Sequence, residues 1–361
     1  MKFIPSTKNL WEATPRLVKK VFGFPLRLLP PSLLLGSRFR RHVQFLRDAE
    51  RWSAEESRRY QLLKLRELCE IAYQNTEYYR EVFDASGFVP RELRSLEDFA
   101  NLPTIDRGTL RGSFHDMCAV DPSDSGIDLV TTGGTGGRPL EFCIGSDRSA
   151  VEYGYLTASW SRVGYKTGMS MAVLRGRIVP RNLNGLRHEY DPVFRYHYYS
   201  AFHMTDENMG RYLEHIATIG PCFLHVYPSS VAALARFMSR SGIHPLSNIR
   251  GIIAESETVY PGQRKMVEDV FACRYFSCYG HSEKLVLAVE CEKNDNYHVW
   301  PTYGYFELLD DDGNPVTKPG CRGEIVGTGF MNKVMPFIRY HTGDYATYVG
   351  GHCEACGRQH T

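Results

Sequence analysis

A regular alternation of helical and extended patterns in the middle of the chain constrains its fold most. The sequence predicts helices over 209–219 and 229–240, and strands over 222–226, 249–254 and 274–279. Short strands separated by helices of this length are typical of a parallel or mixed sheet whose faces are covered by helices. The alternation therefore predicts an α/β protein.

The pattern changes after residue 298. Extended segments over 304–309 and 323–327 flank a turn at 311–315, with the sequence Asp-Asp-Gly-Asn-Pro. Such a turn between two extended segments is typical of antiparallel hairpins. The fold class predicted from these patterns is α/β, with two helix-covered mixed sheets and a small antiparallel, barrel-like subdomain.

The predicted domains follow these changes of pattern. Residues 1–52 are an N-terminal extension or flap, residues 53–298 a core that binds nucleotide and acid, and residues 299–361 the barrel-like subdomain. Ser53-Ala54-Glu55-Glu56 is the pattern of a capping box, so we expect the core to open on a helix.

Composition excludes some function classes. The 361 residues carry 43 Lys and Arg against 41 Asp and Glu, and a net charge of +2 gives no electrostatic footprint for nucleic acid. The 10 cysteines accompany no secretory signal, which indicates reduced thiols or metal ligands in place of a disulfide framework. We therefore expect a cytoplasmic protein. The sequence does not indicate an oligomeric state.

An early apolar stretch, residues 21–35, is too short and too interrupted by prolines to span a bilayer. A stretch of this kind can lie on a membrane surface, as a weak peripheral contact, or pack on the core as a flap. The prolines and the arginine within it favour packing on the core.

A glycine-rich turn, Thr-Thr-Gly-Gly-Thr-Gly-Gly-Arg-Pro at 131–139, lies between two predicted strands, 127–130 and 140–144. Glycines let the backbone approach phosphates closely and point successive amides at them, and the threonine hydroxyls add donors. No helical pattern follows at once, as a Walker loop would require. The alternative is a tight structural hairpin. The residues predicted to hold phosphates are Thr131, Thr132, Gly133, Gly134, Thr135, Gly136 and Gly137.

A second segment, Tyr279-Gly280-His281-Ser282-Glu283, follows a predicted strand. The carboxylate of Glu283 suits Mg²⁺, which prefers hard oxygen ligands, and the ring of Tyr279 suits an adenine face. The alternative for Glu283 is an ordinary exposed glutamate.

A third segment, Arg339-Tyr340-His341-Thr342-Gly343-Asp344, ends on an aspartate that can accept two hydrogen bonds from a ribose diol. The alternative is a turn aspartate before a strand. Together the three segments supply what ATP needs, so the sequence predicts a nucleotide-using enzyme that activates a carboxylic acid.

Four further residues have the spacing of a metal site. Six residues separate Cys291 from His298, and two separate Cys353 from Cys356. Three thiolates and one imidazole make a closed, structural zinc site. The alternative is a set of unrelated buried thiols with a surface histidine, and His352 is a rival ligand.

The three segments resemble those of the adenylate-forming superfamily, which includes acyl-CoA synthetases, peptide-synthetase adenylation domains and luciferases. Within it the chain is most similar to phenylacetate-CoA ligases, coenzyme F390 synthetases and the CapK group linked to capsule biosynthesis. Gly136 replaces a hydroxyl residue of the phosphate loop, and Leu140 stands where many synthetases carry lysine. The loop residues that fit the pattern are Thr132, Gly133, Gly134, Thr135, Gly137 and Pro139.

The resemblance implies site residues beyond the three segments. Glu255, Ser256 and Glu257 correspond to the loop on the adenine side, joined there by Tyr279, Gly280, His281 and Ser282. The acyl pocket begins at Tyr227, Pro228 and Ser229. Thr135 and Glu283 take the catalytic roles. Some relatives in this group carry a structural zinc near the nucleotide pocket.

The resemblance also implies the reaction: ATP and Mg²⁺ convert a carboxylic acid to an acyl-adenylate with release of pyrophosphate, and a thiol, coenzyme A, then takes the acyl group. The family has a mobile C-terminal domain beyond the barrel, and the sequence ends at Thr361, so we expect that domain to be absent and turnover impaired. Two other classes stay open: a non-catalytic nucleotide-binding module, and a scaffold in capsule or glycan biosynthesis.

Overall fold

A computed structural model describes residues 11, 14–15, 18, 25, 29–132, 139–182 and 184–359 of the chain. The described strands form three sheets, of eight, three and two strands. In chain order they are β1 (Ile127–Thr131), β2 (Glu141–Gly145), β3 (Ser170–Arg175), β4 (His188–Asp191), β5 (Tyr196–Ser200), β6 (Cys222–Val226), β7 (Ile249–Glu255), β8 (Tyr275–Gly280), β9 (Leu287–Glu290), β10 (Tyr297–Val299), β11 (Gly304–Leu309), β12 (Arg322–Gly329) and β13 (Tyr340–Thr347).

The helices lie before, between and on the faces of these sheets. In chain order they are α1 (Pro31–Leu34), α2 (Gly36–Ala49), α3 (Ala54–Asn75), α4 (Glu77–Ser86), α5 (Leu96–Ala100), α6 (Arg107–Gly112), α7 (Ser149–Trp160), α8 (Asp206–Thr218), α9 (Pro228–Arg240) and α10 (Gln263–Phe271). Short 3₁₀ turns lie at Pro90–Glu92, Ser146–Arg148 and Ser161–Val163.

The large sheet has the order β10-β9-β8-β7-β6-β3-β5-β4. Its five central strands, β8 to β5, run parallel, whereas the pairs β8–β9 and β9–β10 at one end and β5–β4 at the other are antiparallel. Because parallel strands share their direction, the carboxyl ends of five strands lie at one edge, which is where open α/β sheets bind ligands.

Alternate side chains of the central strands enter two different cores. In β3, Ala172 and Leu174 pack under α8, α9 and α10, while Met171 and Val173 pack against α2 and α7 on the opposite face. This is the two-residue period of a strand buried on both faces. A third core joins α3 to α6 with the β1–β2 hairpin and the three-stranded sheet β11-β12-β13.

The predicted α/β fold class is confirmed, and several predicted elements match closely. The strands over 222–226 and 304–309 have the predicted bounds, and α9 begins one residue early because Pro228 takes its first turn. The capping box is present: Ser53 accepts from the Glu56 amide, and the Glu56 carboxylate accepts from the Ser53 amide.

One detail of the fold differs from the prediction. The described residues form one mixed sheet of eight strands where two were expected, and their remaining strands are antiparallel. The reason is that β3 pairs with both β5 and β6. The β3–β6 pairing joins residues about fifty positions apart, which local patterns cannot assign to a sheet.

The described part of the N-terminal extension packs on the core. Leu35, Phe39 and Leu46 are buried against α7. Residues 21–24 and 26–28 of the early apolar stretch lie outside the described residues. No described helix is both long enough and apolar enough to cross a bilayer.

Gly304 allows the first strand of the small sheet to pass close to two carbonyls. An added Cβ would lie 2.0 Å from the Leu285 oxygen and 2.6 Å from the Thr328 oxygen. We expect Gly304→Ala to lower the free energy of unfolding by about 3 kcal/mol, measured by urea denaturation, because neither backbone group can move easily. In the control Gly112→Ala the new methyl group meets open space at an exposed helix end, so stability should hold or rise slightly. Equal effects of the two substitutions would contradict this packing.

Candidate functional site

Two of the predicted segments meet through a hydrogen bond. Tyr279, at the end of β8, donates from Oη to Oδ2 of Asp344 on β13 at 2.9 Å. Burial, and then the charge of Asp344, raise the pKa of Tyr279, so its phenol keeps the proton that it donates. Asp344 itself is exposed. The bond joins the large sheet to the three-stranded sheet.

Buried charges hold the Asp344 segment in place. Arg339 forms a two-point ion pair with Glu307, with Nε–Oε2 at 3.1 Å and Nη2–Oε1 at 2.9 Å. Burial raises the pKa of Glu307, although Arg339 opposes the shift. Further along, Glu324 accepts hydrogen bonds from the Gly343 amide and from His341 Nδ1, both at 2.9 Å. The turn before Asp344 is thus fixed from two sides.

Glu283 is buried and lies beside a histidine. Its Oε2 is 3.2 Å from Nδ1 of His281. Burial alone would raise the pKa of Glu283, but the hydrogen bond and charge of His281 outweigh burial and leave that pKa below its ordinary value. Glu283 is therefore a carboxylate. The other ring nitrogen of His281, Nε2, is buried with no hydrogen-bond partner among the described residues.

The base of the glycine turn is described, while its tip is not. Gly133, Gly134, Thr135, Gly136 and Gly137 lie outside the described residues. At the base, β1 and β2 form an antiparallel hairpin. Thr132 closes it: its amide donates to the Leu140 carbonyl at 2.9 Å, and its Oγ1 accepts from the Leu140 amide at 3.1 Å. Thr131 ends β1 and is exposed.

The hairpin approaches the segment that contains Glu283. A cavity of about 170 Å³ lies between them, and Lys284 donates from its ammonium group to Glu152 on α7 at its wall. The cavity is lined by Val130, Ile144, Arg148, Glu152, Ser282 and Lys284. The base of the glycine turn and the segment after β8 therefore line one cavity.

Strained backbone marks the same region. Five described non-glycine residues have positive φ, and three of them lie in or next to predicted site segments: Ser256 at 71°, Lys284 at 60° and Arg339 at 51°. The left-handed region is unfavourable for these residues, and such strain is concentrated at functional sites.

The segments predicted for the adenine side and the acyl pocket contact each other. Glu257 accepts from the Ser229 amide at 2.8 Å and from Ser229 Oγ at 3.0 Å. Pro228 begins α9, and Tyr227 precedes it at the end of β6. The Glu257 carboxylate thus lies at the positive end of a helix, where it is stabilised.

A buried polar cluster includes two of the predicted residues, Glu255 and Ser256, and the sequence analysis missed its other members, Arg175, Trp160 and His225. Glu255 accepts from Arg175 Nη1 at 2.7 Å and from Trp160 Nε1 at 2.9 Å, and Arg175 Nη2 donates to Ser256 Oγ at 2.7 Å. Arg175 ends β3 just as Glu255 ends β7. The signal that could have revealed the cluster was Arg175, a basic residue at the end of the apolar run 171–174.

The cluster determines the ionisation of its two inner groups. Burial would raise the pKa of Glu255, but His225, Arg175 and the Trp160 hydrogen bond outweigh it, and the pKa lies well below its ordinary value. Burial and the nearby Arg175 lower the pKa of His225. Glu255 is therefore ionised with Arg175 as its cation.

The four residues predicted to bind zinc lie together. One ligand atom from each of Cys291, His298, Cys353 and Cys356 lies within 4.8 Å of the others. Cys356 Sγ is 3.8 Å from His298 Nε2, against about 3.6 Å in a tetrahedral zinc site. The rival ligand His352 is exposed, bonds to Gln359 and is not part of the group.

The Glu255 carboxylate gives stability a defined pH dependence. We expect Glu255→Gln to cost about 3 kcal/mol in free energy of unfolding at pH 7, because it leaves the Arg175 charge without its partner. A depressed pKa contributes stability above the unfolded value of about 4.3, and that stability is lost as pH falls through the folded value. The cost should therefore shrink in acid, as urea denaturation at several pH values would measure.

The exposed Glu214→Gln is the control for that comparison and should change stability by less than about 0.5 kcal/mol. A cost of Glu255→Gln that is the same at pH 3 and pH 7 would contradict an ionised Glu255.

The chain is similar in sequence to known proteins. No protein-family model matches the chain. It is 26% identical over 311 residues to a phenylacetate-coenzyme A ligase of Aromatoleum evansii, covering 83% of the chain and 68% of the relative. It is 23% identical over 273 residues to protein CapK of Staphylococcus aureus, and the match covers 75% of the chain and 58% of CapK.

A solved structure shares the fold. A 2-hydroxyisobutyryl-CoA ligase, in an open conformation with 2-HIB-AMP and CoA, superposes with a TM-score of 0.70 at 22% identity, covering 86% of this chain and 74% of that one. The fold of the chain is therefore that of an adenylate-forming ligase.

Proposed function

Because the chain is a relative of phenylacetate-CoA ligases and CapK and has the adenylate-forming fold, we propose that it activates a carboxylic acid with ATP. The product is an acyl-adenylate, and pyrophosphate leaves. A thiol, coenzyme A, then takes the acyl group. The observation that supports this proposal most is the Tyr279–Asp344 hydrogen bond beside the buried carboxylate of Glu283.

The first step forms one bond and breaks one. An oxygen of the substrate carboxylate attacks the α-phosphorus of ATP, and the bond from that phosphorus to the bridging oxygen of pyrophosphate breaks. In the second step the thiolate attacks the acyl carbon and AMP leaves with the electron pair. Catalysis of such transfers is mostly positioning and charge neutralisation.

The residues of this chain divide these tasks. Asp344, which is exposed, accepts hydrogen bonds from the ribose hydroxyls. Tyr279 presents its ring to adenine, and its hydroxyl donates to Asp344 and keeps that carboxylate oriented. The amides of the glycine turn and the Thr135 hydroxyl hold the β- and γ-phosphates. The loop after β7 borders the adenine, and Tyr227, Pro228 and Ser229 border the acid.

Glu283 is the residue that would hold magnesium. It fits because it is a buried, ionised carboxylate, and hard oxygen ligands suit this ion. The unpartnered Nε2 of His281 next to it is a buried donor or acceptor of the kind that a ligand satisfies. When bound, Mg²⁺ supplies neutralising charge to the phosphate oxygens.

The Cys291, His298, Cys353 and Cys356 group would hold a structural zinc, with no position open to substrate. The donor set fits, and the amides of Lys293 and Asn294 donate to Cys291 Sγ, both at 3.4 Å, which helps to orient that ligand. None of the 10 cysteines forms a disulfide, which supports the proposed cytoplasmic location. The domain limits of 52 and 298 stay proposals.

The catalytic role of Glu283 is tested by exchange of labelled pyrophosphate into ATP in the presence of acid. Glu283→Gln should lower the exchange rate by about 100-fold or more, since the charge that holds magnesium is removed. The control Glu81→Gln changes an exposed glutamate on α4 and should leave exchange unchanged. The assay uses the natural full-length protein. Unchanged exchange in Glu283→Gln would refute the assignment.

The zinc proposal predicts a spectroscopic change. Cobalt that replaces zinc between thiolates gives a sulfur-to-cobalt charge-transfer band in the near ultraviolet. We expect Cys353→Ser to weaken that band and lower the melting temperature, because structural zinc contributes folding free energy. Cys321→Ser, an exposed thiol outside the group, should change neither. A full band in Cys353→Ser would exclude this ligand set.

A further inference from the structure

Three histidines meet at the far edge of the large sheet. His188 lies on β4, His197 on β5 and His215 on α8, which covers that face. In the antiparallel β4–β5 pair His188 is opposite Tyr199, so it is diagonal to His197 on the same face. One ring nitrogen from each histidine lies within 4.8 Å of the others.

The spacing of these nitrogens is close to that of metal ligands. His188 Nε2 and His197 Nδ1 are 3.1 Å apart. With metal–nitrogen bonds of about 2.0–2.1 Å, two nitrogens of a tetrahedral site are about 3.3 Å apart. The ring centroids of His188 and His215 are 4.3 Å apart. Small side-chain rotations would therefore close the three nitrogens around one ion.

The third histidine is held by an outer partner. Tyr199 Oη and His215 Nδ1 form a hydrogen bond of 2.7 Å, which leaves Nε2 of that ring as the nitrogen to face an ion. Metal-binding histidines typically use one nitrogen for the metal and bond the other to a group that fixes the ring. All three rings are half-buried, and burial is the largest cause lowering each pKa.

We propose that His188, His197 and His215 bind a divalent transition-metal ion such as Zn²⁺, with a fourth position open to water or a small ligand. Imidazole suits zinc, copper and nickel, and three histidines with one open position is an established arrangement for zinc. The site lies four to five strands from Tyr279, which is about 20 Å at the spacing of a sheet. It is thus separate from the nucleotide cleft and from the cysteine group.

The ion would join three elements of the fold, β4, β5 and α8. β4 is the edge strand of the large sheet, paired only with β5 among the described residues. A metal shared by β4, β5 and α8 ties that edge to the helix covering it. Binding to the folded state alone raises stability with ion concentration, so the melting temperature should rise as metal is added.

Cobalt titration of the metal-stripped chain tests the proposal without any substitution. The cysteine group gives sulfur-to-cobalt charge transfer, whereas a site of three imidazoles gives visible d–d bands alone. We expect the charge-transfer band to saturate at one equivalent of cobalt per chain, whereas the d–d bands should keep growing until a second equivalent has bound. If both stop growing together, the proposal is overturned. If charge transfer never forms but d–d bands do, the histidine site stands and the cysteine assignment fails.

Variants identify the ligands. His188→Asn and His215→Ala should each lose one cobalt per chain after desalting, while the charge-transfer band stays at the wild-type level, which also reports that the chain is folded. His244→Ala, an exposed histidine elsewhere, is the matched control and should lose none. Retention of the wild-type cobalt count by both His188→Asn and His215→Ala would refute the site.

Discussion

The direction of the central strands is the constraint on which the site depends. Because β3, β6, β7 and β8 run parallel, Arg175, Tyr227, Glu255 and Tyr279 follow one another along a single edge of the large sheet. Polar groups that are far apart in the chain therefore become neighbours without any local sequence signal. The three-stranded sheet then places Asp344 against that edge, so the cleft is formed between two sheets.

Local sequence patterns predicted much of the fold. The strand over 222–226 is a short apolar run before a proline, and the hairpin around Gly313 has the residues that such a turn requires. The sequence analysis grouped the segments of Tyr279 and Asp344 because together with the glycine turn they supply what ATP needs. The grouping of three thiols and one histidine followed from their spacing, which predicted that they could share one metal ion.

Other features could not be predicted because they depend on long-range pairing. The contact of Arg175 with Glu255 needs the strand order β3-β6-β7, which no periodicity reveals. His188, His197 and His215 lie at irregular intervals and meet only because α8 covers the β4–β5 edge. The predicted number of mixed sheets was wrong for the same reason. The roles assigned to Thr135 and its neighbouring glycines stay predictions, since those residues lie outside the described part of the chain.

Both ends of the large sheet carry groups suited to metals. The cysteine group includes Cys291, just after β9, and His298 on β10, while the histidine group lies on β4, β5 and α8. Edge strands leave backbone groups unpaired and need support from other elements. Metal ions at both ends would hold the sheet from its margins, and the carboxyl ends of the central strands would stay available for the nucleotide and the acid.

The measurement that tests the central claim most directly is a crystal structure of the chain with AMP. The account predicts that the ribose hydroxyls bind Asp344, that adenine lies against Tyr279 and that the phosphate points toward Glu283 and the glycine turn. An AMP molecule bound elsewhere on the surface, or a nucleotide whose ribose makes no contact with Asp344, would contradict it.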